Sequence, residues 1–329
     1  MIDLEGRRVL FIAPKFYTYH TQIIDFIEAK KGYVTFYPED IYTPFYRFAQ
    51  KLFPSIASNL KKRYRNHIIE SVTTDGYDIV FVIRGGILSP SAMEALKQKL
   101  PKARFIMYQW DSNRQSNYKP LIDYFDVVKT FDRVDAREYA LEYLPLFYTD
   151  RFTQIANNKL PKQYDLVFYG AYHSDRLKVV QQIEQFCQNN HLRFKYHLYI
   201  TKMALFRLFC FGVISLKDLK YLKTYSVDMD HILNVYRSSF ATLDIELNIQ
   251  HGLTMRTFEA LGAGLKLITT NAQIQEEPFY NPQNIALLDR NHIHIDLDFF
   301  KSPFSLDPCL KHYHIDQWLT TLLTQADPS

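Results

Sequence analysis

Short apolar runs alternate with helical patterns along the first 150 residues. The runs are bounded by glycine, proline or charged residues, which is typical of strands buried on both faces. They predict five strands, at 7–13, 33–37, 77–83, 104–108 and 126–130. Helical spacing follows the first run, and Ser89-Pro90 is a helix start signal. Strands separated by helices predict parallel pairing in an open, doubly wound sheet.

The pattern then repeats. Residues 151–163 are polar and aperiodic, and we interpret them as a linker. After it, apolar runs predict strands at 165–169, 193–199, 241–247 and 266–270. Helical patterns lie between them, and a late helix at 315–323 is expected to pack back on the first half.

The sequence therefore predicts an α/β fold with two Rossmann-like doubly wound domains facing each other across a cleft. A length of 329 residues favours two domains over one. We expect an N-terminal domain at 1–150, a C-terminal domain at 164–310 and a returning segment at 311–329. Ligands of such sheets bind at the carboxyl ends of the strands.

The composition is that of an ordinary globular protein, with 47% hydrophobic and 22% charged residues and a net charge of +4. This excludes a disordered chain and a disulfide scaffold. Three cysteines lie far apart, and no signal peptide is visible, so we expect a cytoplasmic protein.

The most informative segment is 251–271, HGLTMRTFEALGAGLKLITTN. It predicts a loop, the amino end of a helix, a glycine-rich exit and a buried strand. A helix amino end suits a diphosphate. Gly252 allows close backbone approach, Arg256 offers a forked phosphate contact, and the Glu259 carboxylate can accept hydrogen bonds from a ribose diol. An ordinary surface helix with solvated charges is the alternative.

This segment resembles the C-terminal donor site of GT-B glycosyltransferases, most closely the CgeB-like bacterial branch of spore-coat, capsule and lipopolysaccharide gene products. The resemblance covers about twenty residues in detail and the two-domain layout as a whole. It implies a nucleotide-sugar donor, with Glu259 on the ribose and with Thr254 and Arg256 facing the diphosphate. Many relatives carry a second glutamate where this chain has His251, so inversion and retention both stay open.

Three further residues are candidates for the donor side. Gly170 ends the first strand of the second half, where a loop often approaches phosphates. Arg176 follows at the start of the next helix, and Asn271 follows the last clear strand. Each has a plain alternative as a turn residue or a helix-surface residue.

An inverting enzyme needs a base for the acceptor hydroxyl. His20, near the start of the first helix, is the first candidate, and Asp111 is its expected partner or the base itself. Arg84, Gly85 and Gly86 end the third strand and are candidates for holding the acceptor or closing on the donor. A helix-surface histidine and ordinary turns are the alternatives.

No metal or other cofactor is expected. Two D-x-D triplets occur, at 228–230 and 296–298, which shows how little such a triplet specifies. Histidines spaced by two at 292–294 and 312–314 lack the further ligands that a zinc site needs.

Two basic, aromatic segments, 43–67 and 202–223, remain. They predict peripheral contact with the inner membrane or binding of an anionic acceptor, and two ordinary amphipathic helices are the alternative. No recognisable nucleic-acid module accompanies them, so no nucleic-acid partner is expected.

Together these features predict a metal-independent glycosyltransferase, a hexosyl- or related transferase. It would move a sugar from a nucleotide-sugar donor to a surface polysaccharide or lipid-linked glycan. A nucleotide-sugar epimerase of the same fold and a non-catalytic nucleotide- or glycan-binding protein are the alternatives.

Overall fold

This computed structural model describes residues 4–173, 175–247 and 252–324. The chain divides into two compact units: Met1–Pro145 with Asp316–Ser329, and Leu146–Ile315. Each unit contains a six-stranded sheet in which every pair of neighbouring strands is parallel. The predicted α/β fold with two doubly wound sheets is confirmed.

The first unit is built from alternating strands and helices. Its strands are β1 (Arg8–Ala13), β2 (Tyr33–Pro38), β3 (Ile79–Ile83), β4 (Arg104–Gln109), β5 (Val127–Thr130) and β6 (Glu142–Tyr143). Its helices are α1 (Tyr19–Ala29), α2 (Pro44–Leu52), α3 (Pro54–Ser71), α4 (Pro90–Lys99) and α5 (Arg133–Glu138), with a 3₁₀ helix at Lys119–Tyr124. The strand order is β2-β1-β3-β4-β5-β6, so the winding reverses between β1 and β3. Both are apolar and almost completely buried, which explains their continuous apolar runs.

The second unit repeats this plan. Its strands are β7 (Tyr164–Ala171), β8 (Phe194–Tyr199), β9 (Leu222–Lys223), β10 (Ser239–Asp244), β11 (Lys266–Thr269) and β12 (Ile285–Leu287). Its helices are α6 (Asp150–Asn157), α7 (Arg176–Asn189), α8 (Lys202–Cys210), α9 (Met229–Arg237) and α10 (Met255–Gly262). Four 3₁₀ helices lie at Leu216–Tyr221, Ala272–Glu276, Leu297–Phe300 and Pro308–Tyr313. The strand order β12-β11-β10-β7-β8-β9 reverses its winding between β7 and β10.

The predicted linker at 151–163 is wrong in its first half. Residues Asp150–Asn157 form α6, which buries Phe152 and Ile155 in the second unit. The two apolar side chains are three positions apart, so they share one helix face, although the flanking residues are polar. The second unit accordingly begins at Leu146.

The last helix, α11 (Ile315–Leu323), belongs to the first unit from Asp316 onward. The ring of Trp318 packs edge-on against Tyr108 of β4, with 4.7 Å between ring centroids. The guanidinium of Arg104 donates from Nη1 to the carbonyl of Leu323 at 3.0 Å. The preceding residues, up to Ile315, stay in the second unit, so the returning segment is shorter than the predicted 311–329.

Candidate functional site

Polar side chains of the second unit collect at the carboxyl edge of its sheet, at the switch point between β7 and β10. Asp244, the last residue of β10, is fully buried. It accepts hydrogen bonds from the hydroxyls of Thr254 (2.7 Å) and Thr257 (3.3 Å) and from Nη1 of Arg256 (2.8 Å). One carboxylate therefore holds the first turn of α10 against the sheet.

Two arginines connect the ends of β7 and β10 at the switch point. Arg256 also donates from Nη2 to the carbonyl of Tyr169 in β7 at 2.6 Å. Arg176 donates from Nε to the carbonyl of Ile245 and from Nη1 to the carbonyl of Ala171, at 2.8 and 2.9 Å. In this structure both guanidinium groups thus bond to the protein itself, and their predicted contacts with a donor stay predictions.

Gly170 makes room for one of these arginines. A Cβ added at Gly170 would lie 3.1 Å from Nη1 of Arg176 and 2.8 Å from the Phe168 ring. The guanidinium of Arg176 is buried, and burial, with the charges of Arg256 and Arg290, lowers its pKa to about 9. The role that the structure gives Gly170 is close packing against Arg176.

Glu259 lies on α10, one turn after Arg256, and is half-buried. Burial disfavours the charged form of Arg256. Asp244, Tyr236 and Glu259 favour that form, and together they raise the pKa of Arg256. Burial raises the pKa of the Tyr236 hydroxyl to about 12; Arg256 opposes this shift and Glu259 adds to it. The carboxylate of Glu259 therefore lies within electrostatic reach of Arg256 and Tyr236.

Among the residues that the structure describes, no side chain caps the amino end of α10. Thr254 stands at the N-cap position, but its hydroxyl donates to Asp244 instead of accepting from a helix N–H. The first N–H groups of a helix have no partner within it. The Thr254–Asp244 bond therefore leaves the end of α10 able to receive an acceptor group from a ligand.

Gly252 and Asn271 meet beside this helix end. Nδ2 of Asn271 lies 3.4 Å from the carbonyl of Gly252, and its Oδ1 accepts from the N–H of Gln273 at 3.0 Å. Asn271 is buried and caps the 3₁₀ helix that follows β11. His251 lies outside the described residues.

A second charge cluster at this edge was not predicted from the sequence. Arg290 pairs with Asp175 and with Glu246, each at 2.7 Å. Glu246 also accepts from the hydroxyl of Thr270. These residues come from four separate segments, so only the tertiary structure groups them.

Four rings gather at the ends of β7 and β8, also without a sequence signal beyond residue type. Tyr169 stacks on His197 at 6.0 Å, and its hydroxyl lies 3.2 Å from Nε2 of His231. His197 contacts the carbonyl of Tyr225 at 2.8 Å, and the Tyr225 ring is exposed. An exposed ring that packs on buried aromatic side chains can stack with a planar ligand.

In the first unit, the corresponding edge holds Glu39, Arg84 and Asp111. Arg84 has a positive φ of 71° and pairs through Nε with the buried Glu39 and through Nη1 with Asp111, the latter at 3.3 Å. The N–H of Gly86 donates to Glu39 at 3.0 Å, and Gly85 takes a φ of 78°. Burial raises the pKa of Glu39 and of Asp111, and Arg84 opposes both shifts. Arg84, Gly85, Gly86 and Asp111 are thus brought together, and Glu39 is the member that the sequence did not indicate.

The predicted His20–Asp111 pair is absent. Nδ1 of His20 is buried and has no hydrogen-bond partner among the residues that the structure describes. The carboxylate of Asp111 instead pairs with Arg84, whose permanent charge attracts it more strongly than a neutral ring does. His20 stacks on Phe36 at 5.2 Å, and burial together with Lys15 lowers its pKa.

The D-x-D triplets have structural partners. Asp228 caps α9 through the N–H of His231, and Asp230 pairs with Arg151. Asp296 caps a 3₁₀ helix, and Asp298 pairs with Lys301. Across the described ranges, no three His, Cys, Asp or Glu side chains are grouped as metal ligands.

No protein-family model and no curated protein matches the chain. Solved structures do. An α-glucosyltransferase in complex with UDP and a 13-mer DNA is 11% identical, with a TM-score of 0.56 over 97% of this chain and 96% of that one. The lipopolysaccharide outer core galactosyltransferase WaaB in its apo form is 12% identical, with a TM-score of 0.55 over 95% and 97%.

A UDP-N-acetylglucosamine 2-epimerase from Rickettsia bellii is 12% identical, with a TM-score of 0.51 over 98% of this chain and 89% of that one. At such identities the similarity shows the fold alone. The chain has the GT-B fold, with two Rossmann-like domains.

Proposed function

We propose that this chain is a glycosyltransferase of the CgeB-like branch. It transfers a hexosyl or related group from a nucleotide-diphosphate sugar to a surface polysaccharide or a lipid-linked glycan, without a metal ion. The observation that carries the proposal is the amino end of α10, which no described side chain caps, at the β7–β10 switch point, with Glu259 one turn further along the helix. Ligands of doubly wound sheets bind at such switch points.

On the donor side, the amino end of α10 receives the diphosphate and Glu259 binds the ribose. Thr254 and Arg256 hold this end of the helix on Asp244 and Tyr169, and Asn271 contacts Gly252 beside it. Gly170 and Arg176 are proposed to line the donor site from the end of β7 and the start of α7. Partial positive charge at a helix end stabilises the leaving diphosphate. The proposal therefore assigns no step to a cation.

On the acceptor side, His20 is the proposed base of an inverting reaction. Its lowered pKa makes the ring mostly neutral at pH 7, as a base must be. The acceptor hydroxyl gives its proton to the ring while its oxygen bonds to the anomeric carbon. The bond from that carbon to the diphosphate breaks, and the diphosphate leaves with the electron pair. Asp111, held by Arg84 beside Gly85 and Gly86, is proposed to bind the acceptor.

A nucleotide-sugar epimerase is the second candidate, because the R. bellii epimerase has the same fold. An epimerase needs no acceptor, and donor incubated alone is converted into a second nucleotide sugar. A non-catalytic binding protein would bind nucleotide without turnover of any kind.

A transferase with a lipid-linked acceptor would work at a membrane, and we place this one at the cytoplasmic face. Among the described residues, no helix is both long enough and apolar enough to cross a bilayer. We propose peripheral contact, with segments 43–67 and 202–223 as its sites.

Calorimetry with UDP, GDP, TDP, CMP and ADP in the presence of EDTA tests the donor site. We expect one tight nucleotide, with affinity lowered at least about tenfold in Glu259→Ala, since a charged hydrogen bond contributes about 1.5–3 kcal/mol. Glu184→Ala is the matched control, because Glu184 lies on α7 of the same unit and accepts a hydrogen bond from the Tyr196 hydroxyl of β8.

Lack of binding by all five nucleotides would overturn the proposal. Equal losses in Glu259→Ala and Glu184→Ala would remove Glu259 from the site. Once the nucleotide is known, incubation of its sugar conjugates with and without saccharide acceptors separates transfer from epimerisation.

A further inference from the structure

Helix α8 and the residues after it form an exposed apolar surface. We define the α8 surface as α8, the turn at 211–213 and the 3₁₀ helix Leu216–Tyr221. No residue of α8 is buried. Five side chains are at least 60% exposed: Met203, Phe206, Phe211, Val213 and Leu216. Such a density of exposed large apolar groups indicates an interaction surface.

The surface has a fixed orientation. The inner side of α8 packs Ala204, Leu205 and Leu208 against the core of the second unit. Ile214, just beyond the turn, is buried, and its N–H donates to the carbonyl of Leu208 at 3.3 Å. The exposed side chains are therefore displayed by a folded element and point away from the core on which it sits.

The charge of the surface is positive. Residues 202–223 include five lysines or arginines and one acid, Asp218. Lys202, Arg207, Lys217 and Lys220 are exposed. Asp218 is engaged by Ser215, whose N–H donates to it at 2.8 Å, and by Gln181 at 2.7 Å. Cations beside exposed apolar groups complement a layer of anionic headgroups over acyl chains.

A groove of about 260 Å³ opens on the same surface. It is lined by Leu205, Phe206, Phe209 and Leu219, with Lys202 and Thr224 also contributing. The aliphatic and aromatic lining suits an acyl chain, and the lysine suits the phosphate above it.

Segment 43–67 exposes fewer large apolar side chains than the α8 surface, so it is a weaker candidate for membrane contact. Its exposed apolar residues lie on α2 and α3, but only Phe45 exceeds 60% exposure. Tyr46, Ala49 and Ala57 are buried in a small cluster between the two helices. Some apolar side chains of this segment thus pack against each other within the protein and cannot contact a partner.

We propose that the α8 surface docks the second unit on a bilayer that contains anionic phospholipids. The aromatic and aliphatic side chains enter the acyl boundary, while the lysines and arginines contact the phosphates. This inference rests on the membrane contact of the proposed function and narrows it to one surface and one lipid chemistry. Vesicle binding requires no nucleotide, so it is tested apart from the donor site. Either idea can therefore fail while the other stands.

Sedimentation with two kinds of vesicle tests the proposal. One kind contains equal parts of phosphatidylglycerol and phosphatidylcholine, and the other only phosphatidylcholine. We expect binding to the anionic vesicles, reduced by salt and at least about tenfold weaker in Phe206→Glu/Phe211→Glu, since two apolar anchors are lost and two repulsive charges are added.

The chain offers a matched control. Leu216 on the α8 surface and Leu306 elsewhere in the second unit are each 74% exposed. Leu216→Asp should weaken vesicle binding, and Leu306→Asp should not. Thermal unfolding of all variants checks that each is folded, and Lys217→Gln/Lys220→Gln provides a variant without any apolar change.

A label on Cys210 reports contact directly. Cys210 is exposed on α8, whereas Cys187 is buried, so an environment-sensitive dye can be placed on Cys210 in a Cys309→Ser background. We expect a blue shift with anionic vesicles only. An unshifted dye, absence of wild-type binding, or equal binding by Leu216→Asp and Leu306→Asp would overturn the proposal. Dimers that only Leu216→Asp disperses, without vesicle binding, would assign the surface to a second copy of this chain.

Discussion

Asp244 and Arg256 form an ion pair of 2.8 Å at the amino end of α10, at the switch point between β7 and β10. The Asp244 side chain is 1% exposed and that of Arg256 19%. The pair is completed by hydrogen bonds from two threonines to the carboxylate and from the guanidinium to Tyr169. The pair thus fixes the amino end of α10, at which the donor is proposed to bind, to the edge of the sheet.

Asp244→Ala should destabilise the protein by about 3 kcal/mol or more, because a buried ion pair that loses one partner leaves the other charge uncompensated. Urea unfolding at pH 7 measures this. Asp298→Ala removes a carboxylate from an exposed pair with Lys301 and should leave the unfolding midpoint unchanged. A similar midpoint for both variants would contradict the structural role of Asp244.

Lys159→Met should stabilise the protein at pH 7 by at least about 1 kcal/mol, since the lysine is buried at a cost to its charge. Nζ of Lys159 is buried without a hydrogen-bond partner in the described part of the chain, and burial lowers its pKa to about 7. The unfolded chain therefore binds more protons than the folded protein between pH 7 and the ordinary value of 10.5. Wild-type stability should rise across this window.

The gain from Lys159→Met should accordingly shrink as the pH rises from 7 towards 10. Urea midpoints at several pH values test this, with Lys178→Met, an exposed lysine on α7, as the control. A gain that does not change with pH would show that titration of Lys159 is not its source.

Gly262→Ala should destabilise the second unit by about 1–3 kcal/mol, the usual cost of overpacking. A Cβ at this position would lie 2.4 Å from ring atoms of Tyr148. In Tyr148→Ala the same substitution should cost less, and a double-mutant cycle measures the difference. Gly86→Ala is the control. The nearest atom is 3.7 Å from the added Cβ, so this substitution should be tolerated.

His20→Gln should lower kcat at least about a hundredfold if the ring is the base, the usual range for general base catalysis. The pKa of His20 is lowered from 6.5. The acidic limb of the kcat/KM profile, where activity is lost as the ring is protonated, should therefore have its midpoint below pH 6.5. His67→Gln, an exposed histidine on α3, should keep full activity. An unchanged acidic limb in His20→Gln would assign the base to another group.

Most strands could be predicted from the sequence because burial on both faces of a parallel sheet leaves an unbroken apolar run. The strands that end at Ala13 and Ile83 begin within two residues of their predicted starts, and helix Ile315–Leu323 has its predicted bounds. Strand Leu222–Lys223 was missed because two residues carry no period. Helix Asp150–Asn157 was missed because its apolar face holds only two large residues.

The candidate sites divide in the same way. Placing Thr254, Arg256 and Glu259 at the start of a helix that follows a strand needs only local pattern. The roles of Asp244 and Glu39 do not follow from pattern, since each has a second acid within two residues, Glu246 and Asp40, and the sequence does not distinguish between them. Arg256 and its acceptor in β7 are 87 positions apart.

The sequence by itself determined the local elements and the sheet edges at which polar groups would collect, because hydrophobic periodicity acts over a few residues. Only the tertiary structure decided which charge each of those groups meets. Strand order brought Tyr169 and Asp244 together around Arg256, and Glu39 and Asp111 together around Arg84. A charged side chain near a sheet edge binds the strongest partner within reach, and that partner is fixed by the topology of the sheet.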